Sequence, residues 1–535
     1  MEPILLYDTT LRDGAQGENI SFSAEKKIEI AKRLDDLGIH YIEGGWPGSN
    51  PTDMTFFQLA KKLQFRNSRL TAFGSTRKKG ITPAKDQNIT ALIQSKTPAV
   101  AIVGKSWKLH VEEVMRNSLK ENLLMIRESV EYLKSRKKEV IFDAEHFFDG
   151  YKDNSDYALE TIMAAAEADA DFIVLCDTNG GTLPFDIETI THDAKNRLND
   201  KYNHVKIGIH THNDSGMAVA NSITAVKSGA VMVHGTINGY GERCGNADLT
   251  SIIPILCLKM NRKCIPKKNV KNLRKLSRFI SETANLVPLN NRPFVGKSAF
   301  AHKGGIHVSA IMKTPKAYEH IDPEQVGNKR RVLVSDLSGK SNVEYKAREM
   351  AINLNENGHD SKKIVAEIKR LEREGFQFEA AEGSLQILME KFAKKFKPLF
   401  ELESFMVTII KQKNRKCASQ ASIKITVNGR TEITVAEGEG PVSALDNALR
   451  KALNKFYPDS LKSTHLIDFK VRVLEGSDGT SAKVRVLIDT RDEDRIWSTI
   501  GVSEDIIEAS WQALEDSSTY SILKDGRGDA FPTQK

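Results

Sequence analysis

VKIGIHTHNDSG (205–216) starts as a nearly continuous apolar run and ends in two histidines, an asparagine and an aspartate. Apolar runs that do not alternate are what strands look like when both faces are buried, as in a parallel sheet. Seven further runs share the design: ILLYD (4–8), HYIEGG (40–45), LTAFGS (70–75), AVAIVG (99–104), EVIFDAE (139–145), DFIVLCD (171–177) and VMVHGTI (231–237). Between them lie amphipathic stretches such as SAEKKIEIAKRLDDLG (23–38), with Ser23 suited to cap a helix and Gly38 to end it. Eight strand–helix repeats in about 260 residues predict a (β/α)8 TIM barrel. A doubly wound open sheet is the alternative, but no GxGxxG follows the first strand.

The rhythm breaks after residue 262. Residues 270–400 read as mostly helical, interrupted by polar turns such as FAHKGGIH (300–307) and SDLSGKSN (335–342). Beyond them SFMVTIIKQ (404–412), ASIKITVNG (421–429) and TEITVAEG (431–438) read as strands, followed by a helix over 441–456. LIDFKVRVLEG (466–476), SAKVRVLIDTR (481–491) and RIWSTIGV (495–502), followed by a helix over 503–517, repeat that order. Thr434 and Thr499, Glu439 and Glu504, Ala444 and Ala509, and Ala448 and Ala513 correspond at one constant offset. The spacing predicts two βββα units forming a C-terminal α+β domain, read either as a dimerisation module or as a small-molecule sensor. The expected division is a barrel over 1–265, a helical linker over 266–402 and the duplicated domain over 403–535.

Composition narrows the class. The chain has 535 residues, 40% hydrophobic and 28% charged, with a net charge of +8. Its densest basic run, KMNRKCIPKKNVKNLRK (259–275), lacks aromatic residues and reads as a solvated helix face, so no nucleic acid is expected. Five cysteines without a CxxC argue against a disulfide scaffold or a zinc cluster. No apolar run approaches the ~20 residues that span a bilayer, and the first residues carry no leader features. A cytoplasmic protein without membrane partners is the expectation.

Barrels place their chemistry at the C-terminal ends of the strands. Those ends carry Asp8 with Arg12 and Asp13, then Glu43, Asp143 with Glu145, Asp177 with Thr178, and His210 with His212. His210 and His212, two apart in a strand, share one face. Two imidazoles and a carboxylate suit a divalent ion with open positions, with Asp13 as the carboxylate and Asn246 as a fourth donor. A bare HxH is equally two polar histidines at a strand end; the Asn-Asp-x-Gly that follows and the other strand ends favour the metal. Arg12 suits a carboxylate or a developing oxyanion. Glu145 closes an apolar strand, where desolvation would raise its pKa, and it reads as either an acid–base group or a structural carboxylate.

DTTLRDG (8–14), HTHNDSG (210–216) and GYGERCGN (239–246) together resemble the metal-dependent acyltransferases of the isopropylmalate, homocitrate and citramalate synthase family. LRDGAQGENISFS (11–23), YIEGGWPGSNPTD (41–53), DAEHFFDGY (143–151) and VLCDTNGGT (174–182) look most like its citramalate branch. The resemblance implies condensation of acetyl-CoA with pyruvate and hydrolysis of the thioester to (R)-citramalate and CoA, on a route to isoleucine. It implies a divalent Mn, Mg or Zn ion on Asp13, His210, His212 and Asn246. Substrate contacts fall to Arg12, Gln16 and Thr178, and acid–base work to Glu145. From FAHKGGIHVSAIMKTPKAYEHIDPE (300–324), His307 and Tyr318 are implied near the acetyl methyl and thioester, reaching over a partner subunit's barrel in a homodimer. The duplicated domain is implied to be regulatory, with isoleucine as effector.

Ala15 stands before Gln16 where many isopropylmalate synthases have glutamate, which bears on subfamily only. Trp46 either narrows the oxo-acid pocket or packs in the core. Isopropylmalate or homocitrate synthesis is the alternative reaction. A hydroxyacyl-CoA lyase is a more distant one, since Cys244 lies in GERCGN rather than in a glycine-glycine-cysteine turn.

Overall fold

In a computed structural model, which describes residues 2–354, 359–392, 396–414, 416–474, 482–493 and 495–525, the eight predicted strands pair in sequence order and close into a barrel. They are β1 (Leu5–Asp8), β2 (Tyr41–Glu43), β3 (Arg69–Ser75), β4 (Ala99–Lys105), β5 (Glu139–Glu145), β6 (Phe172–Asp177), β7 (Lys206–Thr211) and β8 (Met232–Gly235). All neighbours are parallel, and β1 pairs with β8 from Leu5 opposite Met232 to Asp8 opposite Gly235.

Alternation along these strands separates two apolar clusters. Tyr7, Tyr41, Phe73, Ala101, Ile141, Val174 and Met232 form one of them. Their chain neighbours, among them Leu6, Ile42, Ala72, Phe142, Ile173 and Val233, belong to the larger cluster that includes the helices. Both faces are apolar, which is why the runs show no alternation. The helix Ala24–Leu37 begins where Ser23 Oγ accepts the Lys26 N–H (3.3 Å) and ends at Gly38, whose φ of 101° is the left-handed conformation a glycine adopts without strain.

The chain divides into two compact units, residues 1–300 with 321–329, and residues 301–320 with 330–535. In the second unit a parallel pair, β9 (Ala301–His302) with β10 (Arg331–Val332), interrupts the expected helical region. Two-residue strands are too short to leave a periodic signature. Helices Gly305–Lys313, Lys340–Glu349, His359–Glu374 and Glu382–Phe392 fill most of the remainder.

The duplicated region forms two three-stranded antiparallel sheets. The first copy has β11 (Glu401–Ile410), β12 (Ala418–Val427) and β13 (Arg430–Gly438), then a helix over Pro441–Leu453. The second has β14 (His465–Val473), β15 (Val484–Arg491) and β16 (Ile496–Ser503), then a helix over Ile506–Asp525. Residues 475–476 and 481 of the expected strands lie outside the described residues. Ile423, Ile425, Ala444 and Leu449 of one copy share a buried cluster with Val486, Ile488, Ala509 and Leu514 of the other. The copies also repeat a hydrogen bond: Thr434 Oγ1 donates to the Ala448 carbonyl and Thr499 Oγ1 to the Ala513 carbonyl, both at 2.7 Å.

All five cysteines are free thiols. Among the described residues no helix is long and apolar enough to cross a membrane. Equivalent bonds should carry equivalent energy. Thr434→Val and Thr499→Val are each expected to lower stability by about 1 kcal/mol, read as a shift of the urea midpoint followed by circular dichroism. A large loss in one with none in the other would show that the two copies are not held alike.

Candidate active site

Strand parity decides which strand-end groups see the barrel interior. Glu43, Asp143 and Glu145 lie at even spacing from the interior residues Tyr41 and Ile141, and His210 and His212 from Gly208, where a Cβ would meet the interior residues Val174 and Met232. Asp143, Glu145, His210 and His212 line a cavity of about 670 Å³ together with Arg12, Asp13, Gln16, Trp46, Phe73, Lys105 and Thr178. Asp8 and Asp177 have the opposite parity and hold loops instead. Asp8 accepts the Thr10 N–H (2.9 Å) and hydroxyl (3.0 Å), and Asp177 accepts the Thr182 hydroxyl (2.8 Å). A second cavity of about 680 Å³ includes Pro3, His40 and Asn67, residues that precede β1, β2 and β3. It therefore lies at the strands' N-terminal ends, where barrels do not place catalysis.

Barrel closure brings Asp13 to the histidines. Asp13 Oδ2 lies 3.3 Å from His210 Nε2, and His210 Nε2 lies 3.3 Å from His212 Nε2. One ligand atom of each residue falls within 4.8 Å of the others, and all three side chains are buried. Nitrogens bound at ~2.1 Å to one ion stand roughly 3–3.4 Å apart, so this spacing fits a shared divalent cation. Asn246 adds a buried Oδ1 without a hydrogen-bond partner, while its Nδ2 donates to the Tyr240 carbonyl (3.2 Å). The Asn246 amide crowds Gly241 closely enough to exclude a Cβ there: one built on Gly241 would meet Asn246 Nδ2 at 2.1 Å.

The charges suit ligation. Burial, reinforced by the neighbouring His210, pushes the His212 imidazolium down to about 3, which leaves a neutral ring. Burial works against the Asp13 carboxylate, but Arg12 and His210 outweigh it and hold the group below the usual carboxylate range. Burial likewise opposes the Arg12 charge, and Asp13 and Glu43 overcome it. Arg12 Nε donates to Glu43 Oε1, its Nη1 lies 3.3 Å from Asp13, and its guanidinium sits 4.0 Å from the Phe73 ring centre. Tyr7 donates its hydroxyl to the other Glu43 oxygen and stacks on His234 at 3.8 Å, which in turn meets His210 edge-on at 5.6 Å.

Glu145 departs from expectation. It forms an ion pair with Lys105 instead of standing alone in apolar surroundings. The desolvated carboxyl of β5 is Asp143, whose buried Oδ1 has no partner and whose pKa is driven well up by burial and then by Glu43. Thr178 Oγ1 accepts the His146 N–H (2.9 Å), so its own hydroxyl proton remains available for a ligand. His307 and Tyr318 belong to the second unit, where their rings stack at 4.1 Å. There His302 lies 3.2 Å from Glu319, and Arg330 binds the same carboxylate with two bonds of 2.6 Å.

Several lining residues escaped the sequence reading. Lys105 ends β4, and Arg77, Lys78 and Lys79 follow β3 after Thr76; a basic residue at a strand end was as strong a signal as an acidic one. Arg243 lies inside GYGERCGN (239–246). It binds both Asp214 oxygens (2.8 and 3.0 Å) and the Thr178 carbonyl (2.7 Å), tying the loops after β6, β7 and β8 together.

Three family models match the chain: HMGL-like over residues 3–280, a homocitrate synthase post-HMGL domain-like region over 294–375, and a LeuA allosteric (dimerisation) domain over 379–522. The (R)-citramalate synthase of Aquifex aeolicus is 54% identical over 98% of both chains, and that of Geobacter sulfurreducens 53% over 98% of both. The chain belongs to the (R)-citramalate synthase family. The 2-isopropylmalate synthase of Methanocaldococcus jannaschii is a more distant relative, 31% identical over 97% of this chain and 95% of its own. Within the citramalate synthase family the barrel and the duplicated allosteric domain account for the two most regular stretches of this sequence.

Asp8, which holds the loop after β1 and stands outside the Asp13–His210–His212 cluster, offers a separate pH test. Burial raises its carboxyl from 3.8 to about 7. The folded chain therefore keeps a proton that the unfolded chain releases, and this group's contribution to stability is present at low pH and lost as pH rises from about 4 to 7. Relative to wild type, Asp8→Asn is expected to gain stability progressively across that window, measured by thermal denaturation in a pH series. A pH-independent difference would show that Asp8 is ionised in the fold.

Proposed function

We propose that this chain condenses acetyl-CoA with pyruvate and hydrolyses the resulting thioester, releasing (R)-citramalate and CoA. One observation carries the reading: Arg12 and the Asp13–His210–His212 cluster open into the same cavity as Thr178 and Glu145. On this reading residues 1–265 carry catalysis, 266–402 complete the site and 403–535 regulate it.

Asp13, His210 and His212, with Asn246 Oδ1 as a further donor, would hold a divalent cation, which supplies Lewis-acid polarisation of the oxo group. Arg12 stays charged and, fixed by Glu43 and Asp13, has N–H groups left to donate to the oxygen that gains charge as the C–C bond forms. Thr178 and Gln16 orient the oxo acid's carboxylate; the Thr178 hydroxyl is suited to donate because its oxygen already accepts from His146. One proton leaves the acetyl methyl, its carbon bonds to C2 of pyruvate, and the C2 oxygen takes up a proton. Water then cleaves the C–S bond and the CoA thiol departs. Glu145, paired with Lys105, assists proton transfer. His307 and Tyr318 attend the acetyl methyl and thioester across a homodimer, and isoleucine binds the duplicated domain.

Thiol release from acetyl-CoA tests the reaction. Release is expected with pyruvate, is expected to stop with a chelator, and should return on adding Mn²⁺ or Mg²⁺. Faster release with 2-oxoisovalerate or 2-oxoglutarate than with pyruvate would overturn the reading. Isoleucine added to the full-length enzyme should slow release from pyruvate; an unchanged rate at saturating isoleucine would remove it as the effector.

A further inference from the structure

Trp46 follows β2 in a loop that leaves none of its polar groups free. Its N–H donates to Asp53 Oδ2 (2.8 Å), its indole Nε1–H to Asn88 Oδ1 (2.7 Å), and its carbonyl accepts from Ser49 (3.1 Å) and Asn50 (3.2 Å). Both anchoring side chains are themselves fixed. Asp53 is paired with Lys27 in a buried ion pair, and the Lys27 ammonium also donates to the Gly44 carbonyl at 3.2 Å. Asn88 donates its Nδ2–H to the Ser75 carbonyl (2.7 Å) and its N–H to Asp86 Oδ1 (2.8 Å), the residue that caps the helix Gln87–Gln94.

A buried tryptophan N–H ordinarily finds one partner, so the Asn88 bond alone would mean little. The buried Lys27–Asp53 pair is different. Desolvating both charges offsets much of their attraction, so such a pair is a poor way to gain stability and a good way to hold one geometry. What it holds is the backbone of Trp46, whose indole lines the cavity beside Arg12. The indole stands edge-on to Phe73 at 5.3 Å and 83°, and Phe73 carries the Arg12 guanidinium on its face at 4.0 Å. The side chain thus bounds the same space as the group that meets the substrate's oxygens.

We propose that Trp46 is a specificity-determining residue that limits the alkyl group of the oxo acid, and that Asn88, outside the cavity lining, is the positioning residue that holds its indole as a fixed wall. This rests on the reading that the cavity takes a 2-oxo acid. A wall that swings away admits one more methylene at little cost; a wall pinned at backbone and ring does not. Size discrimination per methylene in such pockets is ~10–200-fold, and the pinning places this enzyme within that range.

The test measures thiol release with pyruvate, 2-oxobutanoate and 2-oxoisovalerate for the wild type, Trp46→Leu, Trp46→Phe and Asn88→Ala. The ratio of kcat/KM for 2-oxobutanoate over pyruvate is expected to rise ~10-fold or more in Trp46→Leu, and to rise by less in Trp46→Phe and in Asn88→Ala. In Asn88→Ala the change should fall mainly on KM. Asn88→Asp, which keeps the acceptor facing the indole, should restore part of the wild-type ratio. A purely structural role would lower turnover of all three acids together, and an unchanged ratio in folded Trp46→Leu or Trp46→Phe overturns the wall. Inhibition of the wild type by 2-oxoisovalerate decides the matter without any variant: competition as tight as the KM for pyruvate also overturns it. Wild type that releases thiol with no oxo acid fails the underlying reading instead, and the wall falls with it.

Discussion

The pairing of β1 with β8 is the constraint on which the first unit depends. β7 carries His210 and leads into His212, β1 leads into Arg12 and Asp13, and nearly 200 residues separate them in the chain. An open sheet with the same strand order would leave β1 and β8 at opposite edges and the three donor groups far apart. Closure places Asp13 Oδ2 at 3.3 Å from His210 Nε2 without help from any local motif. The direct pairing of β1 with β2 aligns Glu43 with Arg12 and Tyr7, so the arginine is oriented from the barrel interior before any ligand arrives. That order of construction, scaffold first and ligand second, is what preorganised electrostatic catalysis requires.

The barrel was legible because its strands are apolar on both faces and its loops begin with chemistry. The identity of the strand-end residues was equally plain, but their roles depended on parity, which the sequence carries only if the register is known. Asp8 and Asp177 look like site residues in the chain and turn out to be loop anchors, one position out of phase with Tyr7 and Cys176. Glu145 and Asp143 share a face, yet the desolvated group is Asp143, because Lys105 on the neighbouring strand reaches only Glu145. A pairing across strands forty residues apart leaves no trace in the local pattern. The short strands β9 and β10 were invisible for a simpler reason: two residues have no period.

The duplicated domain shows the opposite case, in which sequence correspondence reports a specific bond. Thr434 and Thr499 match at a fixed offset, as do Ala448 and Ala513. In each copy the threonine hydroxyl reaches the alanine carbonyl at 2.7 Å. A β-branched hydroxyl on a strand that bridges to its following helix fixes where the helix sits on the sheet. Repeating it keeps the two copies superimposable, while Ile423 and Val486, from different copies, join a single core.

The carboxylates around the cavity divide by the partners they have. Asp13, Asp143 and Glu145 line it, and Glu43 stands just behind, against only Arg12 and Lys105 among the cations that contact these carboxylates directly. Buried carboxylates without a partner either take up a proton or acquire a counter-charge. Asp143 is pushed toward the first course: its Oδ1 has no partner, and burial, then Glu43, drive its pKa well up. Asp13 follows the second, remaining ionised beside Arg12 and facing two imidazoles, one of which is held neutral by its burial. The neutral His212 ring and the ionised Asp13 carboxylate are donors that need shed no proton when a divalent ion enters. Asp13 is thus the carboxylate that meets a histidine, and it keeps its negative charge beside the two imidazoles.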